Sequence, residues 1–210
     1  MNEKKLFRRI LSSPHIWCGI VFLLVFLAFS NTLSHQFAFD DKSLIVENSF
    51  LSNETPLATI FTTNYRAGSG NVGDGLYRPL VMLTYIMNAR QPLSPFPFHL
   101  FNVTLNSLNA VVFLILIMAV FKNLPLAVLS SIFFGLHPMH TEAVANISGR
   151  PELMYVFFIL IAWTIRERWL YSYWSLLAVV ILFLCGLLSK ETAIMFPFMI
   201  LAWDFMKKRP

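Results

Sequence analysis

"FHLFNVTLNSLNAVVFLILIMAVF", residues 98–121, contains no Asp, Glu, Lys or Arg. An α-helix needs roughly 20 apolar residues to cross a bilayer core, and this run supplies them. Its first half is not uniformly apolar. His99, Asn102, Asn106 and Asn109 recur at intervals of three, four and three residues, which places them on one helical face. Polar side chains inside a bilayer turn toward neighbouring helices or a wet cavity. The stripe therefore predicts a helix packed among others. Hydrogen bonds between helices can satisfy any single Asn, but the stripe as a whole argues more strongly for a hydrated cavity opening outward.

The rest of the chain supports a helical bundle. Of its 210 residues, 57% are hydrophobic and 13% charged, about half the charge of a typical soluble domain. Apolar runs predict an all-α polytopic membrane protein with about six transmembrane helices. Residues 1–210 then form a single membrane domain. A first span occupies residues 14–33, an extracytoplasmic loop with juxtamembrane helices occupies 34–97, and five further spans fill 98–205. Those five centre on 98–121, 124–136, 152–165, 173–188 and 192–205. The net charge of +5 does not indicate nucleic-acid binding, because no basic stripe interleaved with aromatics is present. The bases fall instead in short runs between apolar segments, at "NEKKLFRR" (2–9), "RERW" (166–169) and "KKRP" (207–210). Positive-inside counting puts these runs and both termini in the cytoplasm. Cys18 and Cys185 are then expected near opposite faces and unbridged.

Chemistry-bearing residues gather on the other side. Asp40 and Asp41 follow the first span directly, and paired carboxylates there can take a proton from a hydroxyl. "GLHPMHTEAVANISGRPEL" (135–153) carries His137, His140, Glu142, Arg150 and Glu152. The His-x-x-His spacing brings two imidazoles near each other, but a metal site needs more ligands. A divalent metal has no further support. "YRPL" (77–80) adds Arg78, and "LLSKETAI" (187–194) adds Lys190 and Glu191. Arg78, His140, Arg150 and Lys190 are the candidate phosphate ligands, since guanidinium grips phosphate in two-point fashion. Helix capping and local Glu–Arg or Lys–Glu pairing are the bland alternatives. The loop also holds a Gly-rich turn, "RAGSGNVGDG" (66–75), and "NETPLATIFTTNY" (53–65), which reads as a short helix on the membrane surface.

"FAFDD", "YRPL", "FHLFNVTLNSLNA", "HPMHTEAVANISGRPEL" and "LLSKETAI" occur here in one order. Together they resemble the transmembrane O-mannosyltransferases that carry C-terminal TPR repeats, and their bacterial TPR-containing relatives. The resemblance runs from about residue 37 to 204, over the membrane part alone, with the TPR region expected to be absent. It implies a C-type glycosyltransferase fold and a polyprenyl-phosphate sugar donor, dolichyl- or undecaprenyl-linked. It also implies a protein or glycan hydroxyl acceptor, with mannose the expected sugar. The catalytic acid maps to the Asp40–Asp41 pair, with His99, Asn102, His137, Glu142 and Glu191 in support. Asn106 stands where family members often carry a His. The expected site is a multi-pass bacterial inner membrane or endoplasmic-reticulum membrane.

Two rival readings differ in class. A non-catalytic relative would keep the fold as a lipid-binding or scaffold module. A transporter would show broken helices at matching positions in two halves, and no such symmetry is visible.

Overall fold

The computed structural model describes residues 13–51, 55–70, 75–89, 92–169 and 172–208. The amino-terminal basic run, residues 71–74 of the Gly-rich turn and the last two residues lie outside the described residues. Among the described residues every regular element is helical. Helix α1 spans Pro14–Ala28, two short helices follow in the outer loop, α2 Leu57–Thr62 and α3 Pro79–Asn88, and then comes the long α4, Phe96–Phe121. Beyond it come α5 Leu124–Gly135, α6 His140–Ala145, α7 Arg150–Arg168, α8 Tyr173–Leu187 and α9 Phe196–Lys207.

Proline sets most of these starts. Helices α1, α3, α4, α5, α7 and α9 each carry Pro at the first or second helical position. There the missing N–H costs nothing and the fixed φ is already helical. The α4–α5 connection is as tight as a chain allows. Lys122 closes α4 in the left-handed conformation, and the Asn123 side chain accepts the Leu126 amide to open α5.

Helix α4 is the hub. It packs against α1, α5 and α7, and α7 packs in turn against α8. Val103, Ala110 and Leu114 along it are fully buried. Gly135, at the end of α5, sits against the Val25 and Ala110 side chains, where an added Cβ would lie 2.6 and 2.8 Å from them. Such close approach is how helices associate where lipid weakens the hydrophobic drive between them. A second, smaller cluster joins α7 to the last two elements through Ile159, Ala162, Ala193 and Phe196.

The helices stand where the apolar runs put them, but their ends differ. Helix α1 stops at Ala28 and passes into a 3-10 turn over Ser30–Ser34. Helix α7 begins at Arg150 and continues to Arg168, longer than residues 152–165. The last helix starts at Phe196, after a 3-10 turn over Glu191–Met195. "LVMLTYIM", in the expected loop, is the helix α3. By length and composition, α4 is the one helix among the described residues long and apolar enough to cross a membrane. Its 26 residues make about 39 Å at 1.5 Å per residue. The surface helix expected in "NETPLATIFTTNY" is α2.

Candidate functional site

The outer loop enters the site through a strained residue. Phe39 has φ 45° and is 86% exposed. A bulky side chain in the left-handed region costs roughly 1–2 kcal/mol, and such strain collects where the following residue must be aimed. The turn sends the two neighbouring acids in opposite directions. Asp40 is exposed, and its Oδ2 accepts from Arg66 Nη2 at 2.9 Å. Asp41 is fully buried. Its Oδ1 accepts the Ser148 amide at 2.8 Å, and its Oδ2 accepts the Ala38 amide at 3.2 Å.

A cavity of about 500 Å³ lies under Asp40. The outer loop contributes Asp40, Tyr65, Arg66 and Arg78 to its wall. Helix α4 contributes Asn109, the α6 segment His140 and Glu142, and α7 Glu152. Gly149 is also at the wall, because a Cβ there would meet the Ala143 carbonyl oxygen at 2.5 Å. Only glycine lets the 3-10 turn before α7 fold back on α6.

The cations are already engaged. Arg78 Nε and Nη2 grip Glu191 at 3.2 and 2.7 Å, and its guanidinium lies 5.3 Å from the Tyr65 ring centre. Glu191 is thereby held below its ordinary 4.5, chiefly by the Arg78 hydrogen bond. Burial pushes the Tyr65 phenol up, and Tyr85 and the nearby arginines pull against it. Lys190 pairs with Glu152. Each cation thus ties the outer loop or α7 to the α8–α9 turn.

Arg150 does not reach the cavity. It is fully buried, and its Nε donates to Asn102 Oδ1 at 2.9 Å. Nη1 donates to Thr84 and Asn88 at 3.0 and 2.8 Å, and Nη2 to the Phe98 carbonyl at 3.0 Å. The rings of Phe101 and Tyr85 lie 4.3 and 4.6 Å from the guanidinium carbon. Arg150, expected as a phosphate ligand, is thus placed away from the cavity lining with its guanidinium engaged by the protein. Four of its five N–H donors are spent joining α3, α4 and α7.

The polar stripe of α4 resolves in favour of hydrogen bonds between helices. Asn102 Nδ2 donates to the Asn146 carbonyl at 3.0 Å, Asn106 Nδ2 to Gly135 at 3.3 Å, and Asn109 Nδ2 to Leu153 at 3.0 Å. His99 is fully buried against His35, with ring centres 6.0 Å apart. Asn109 alone of the stripe reaches the cavity wall.

His140 differs from the expected phosphate donor. Its Nδ1 lies 3.1 Å from Asn106 Oδ1. The Asn106 amide is oriented by its bond to Gly135, so Oδ1 accepts and Nδ1 carries the proton. The neutral ring then offers Nε2 as a lone pair. Burial, and then the neighbouring His137, lower the His140 pKa, which keeps the ring neutral at pH 7. His137 Nδ1 accepts the Met139 amide at 3.2 Å and so caps the turn. The two imidazole centres lie 6.5 Å apart. Among the described residues no group of three His, Cys, Asp or Glu is placed to hold a metal.

Arg66 and Tyr65 are cavity residues that the sequence motifs did not single out. Arg66 lay within the Gly-rich turn, where the glycines drew the eye. Only the fold turns it onto Asp40.

The chain is similar to proteins named as O-mannosyl-transferases. It is 36% identical over 141 residues to the human Protein O-mannosyl-transferase TMTC3, which covers 66% of the chain and 15% of that protein. It is 31% identical over 204 residues to the Caenorhabditis elegans Protein O-mannosyl-transferase F38B6.6, covering 91% of the chain and 29% of the relative. Against the human Protein O-mannosyl-transferase TMTC1 it is 34% identical over 185 residues, 80% of the chain and 21% of the relative. The chain thus spans less than a third of each relative's length. No protein-family profile and no solved structure matches it.

Proposed function

We propose that this chain, a homologue of the protein O-mannosyl-transferases over most of its length, carries the sugar-transfer site of a membrane glycosyltransferase. The observation that carries the reading is the cavity that gathers Asp40, Arg66 and Arg78 from the outer loop with His140 and Glu142 from the α6 segment. The donor is a polyprenyl-phosphate sugar, and the acceptor is a protein hydroxyl. The six longest apolar helices, α1, α4, α5, α7, α8 and α9, cross the membrane in one domain. Both termini then lie in the cytoplasm and residues 34–97 outside.

In the transfer the acceptor oxygen forms a bond to the anomeric carbon. The bond from that carbon to the phosphate oxygen breaks, and the phosphate leaves with the electron pair. Asp40 takes the hydroxyl proton. Arg78, with Lys190 nearby, faces the charge gathering on the phosphate, where fixed cations act most strongly. Asp41 holds the turn that aims Asp40.

The test is transfer of labelled mannose from polyprenyl-phosphate mannose to a Ser/Thr peptide by the protein in liposomes. Label in the peptide, lost in Asp40→Asn, is the expected result. Absence of transfer with intact donor binding would favour the second reading, a lipid-binding module. The pairing of Arg78 with Glu191 and of Lys190 with Glu152 favours instead a scaffold module, for which donor binding would also be absent.

A further inference from the structure

The cavity has two chemically different walls. The outer-loop wall carries the donors Arg66 and Arg78, with Asp40 paired to Arg66 beside them. The residues that α4 and α6 add to the lining, Asn109, His140 and Glu142, carry acceptor atoms. Asn109 is 1% exposed, and its Nδ2 is spent on Leu153. Its Oδ1 is buried with no hydrogen-bond partner among the described residues. His140 has given its Nδ1 to Asn106, which leaves the Nε2 lone pair. Glu142 is exposed on the cavity, and among the described residues its carboxylate makes no ion pair or side-chain hydrogen bond. The other acids differ: Asp40 is paired with Arg66 and Glu152 with Lys190.

We propose that Asn109, His140 and Glu142 form a subsite that binds the hydroxyl groups of the transferred sugar, an inference that rests on the sugar-transfer reading above. A buried acceptor without a donor, such as Asn109 Oδ1, is costly, and with the half-buried His140 and the exposed, unpaired Glu142 at the same cavity it calls for a ligand rich in O–H. A hexose is that ligand. A phosphate is not, because its oxygens are themselves acceptors and this wall would repel them. The two walls therefore orient the donor, phosphate toward the arginines and sugar toward α4 and α6. Sites built to receive a hydroxyl discriminate sharply against ligands that lack it.

Hydroxyls reach the cavity from two sources, the donor sugar and the acceptor side chain, and the experiment separates them. Glu142→Gln is the main variant, since Glu142 is exposed and holds no partner. Binding of polyprenyl-phosphate mannose and of sugar-free polyprenyl phosphate is measured on the unaltered protein and the variant. The expected result is roughly tenfold weaker binding of the mannose-bearing lipid, with the sugar-free lipid unchanged. His140→Phe, which keeps an aromatic ring against Phe134, should reproduce the pattern. Equal losses for both lipids, or no loss for either, would overturn the subsite. Intact donor binding with a raised KM for the peptide would assign the hydroxyl to the acceptor and overturn the sugar assignment. Methyl mannoside, which carries no phosphate, supplies a separate arm. Its saturation-transfer signal should fall in Glu142→Gln even if neither lipid phosphate binds, an outcome that would strike the lipid-phosphate reading alone. A signal indifferent to Glu142 would overturn the subsite.

Discussion

Asp41 Oδ1 accepts the Ser148 amide at 2.8 Å across 107 positions of sequence. That bond pins the loop after α1 to the turn before α7, directly beneath the cavity. Asp41 is a brace, and Asp40 beside it is the acid that faces the cavity. Removing a buried acceptor strands the amides it served, at a cost of about 1–3 kcal/mol. Asp41→Ala should therefore lower Tm in detergent and lower transfer with it. Asp40→Asn should leave Tm nearly unchanged and cut transfer by roughly 10²-fold, the usual scale for a general base. Thermal unfolding and the transfer assay together read both. The reverse pattern would exchange the two roles.

Arg150 supplies the second prediction. A buried guanidinium with four hydrogen bonds and aromatic rings close by is poorly replaced by any other side chain. Arg150→Lys and Arg150→Gln should each destabilise the fold by about 3 kcal/mol, because the acceptors around it lose their partner. Lipid-phosphate binding by the folded fraction should persist. If Arg150→Gln kept its Tm and lost that binding, the guanidinium would have to face the cavity after all.

The fold was largely legible because its signals are local. Apolar runs located the long helices, and the stripe from His99 to Asn109 gave α4 its inward face. Helix ends were less legible, since 3-10 turns such as Ser30–Ser34 and Glu191–Met195 adjoin the apolar runs and keep the chain helical without continuing the α-helix. At the cavity, the sequence motifs named most of the residues that meet there but could not orient them. Nothing local distinguishes Asp40 from Asp41, because the deciding contacts come from Arg66 and Ser148. Arg150 reads as a phosphate ligand by type and is a structural clasp by placement. The tautomer of His140 depends on Asn106, 34 positions away.

The Arg78–Glu191 link gives a pH signature. The Glu191 carboxyl titrates below its ordinary 4.5 in the folded protein. Its contribution is therefore fully present above pH 4.5 and is lost as pH falls through the lowered value. Glu191 is more than half exposed, so the contribution is at most about 1 kcal/mol. Glu191→Gln should lower Tm slightly at pH 7 and flatten its decline below pH 4.5. A variant curve parallel to the unaltered one throughout would show that the pair contributes nothing to stability.

The orientation of the bundle is open to a direct test. Helix α5 has 12 residues, about 18 Å at 1.5 Å per residue, against roughly 30 Å of hydrocarbon. Length alone therefore does not establish a crossing there, and loop position must. Ser69 lies in the outer loop near Asp40, and Ser172 opens α8 after the basic "RERW" stretch. Positive-inside bias places Ser172 in the cytoplasm and Ser69 outside. Cys18 and Cys185 are both free thiols, so single cysteines belong in a Cys18→Ser, Cys185→Ser background. In sealed cells an impermeant maleimide should label Ser69→Cys, and should label Ser172→Cys only after permeabilisation. Labelling of 172 but not 69 from outside would invert the bundle. The cavity would then open to the cytoplasm, away from the extracytoplasmic acceptor proposed for it.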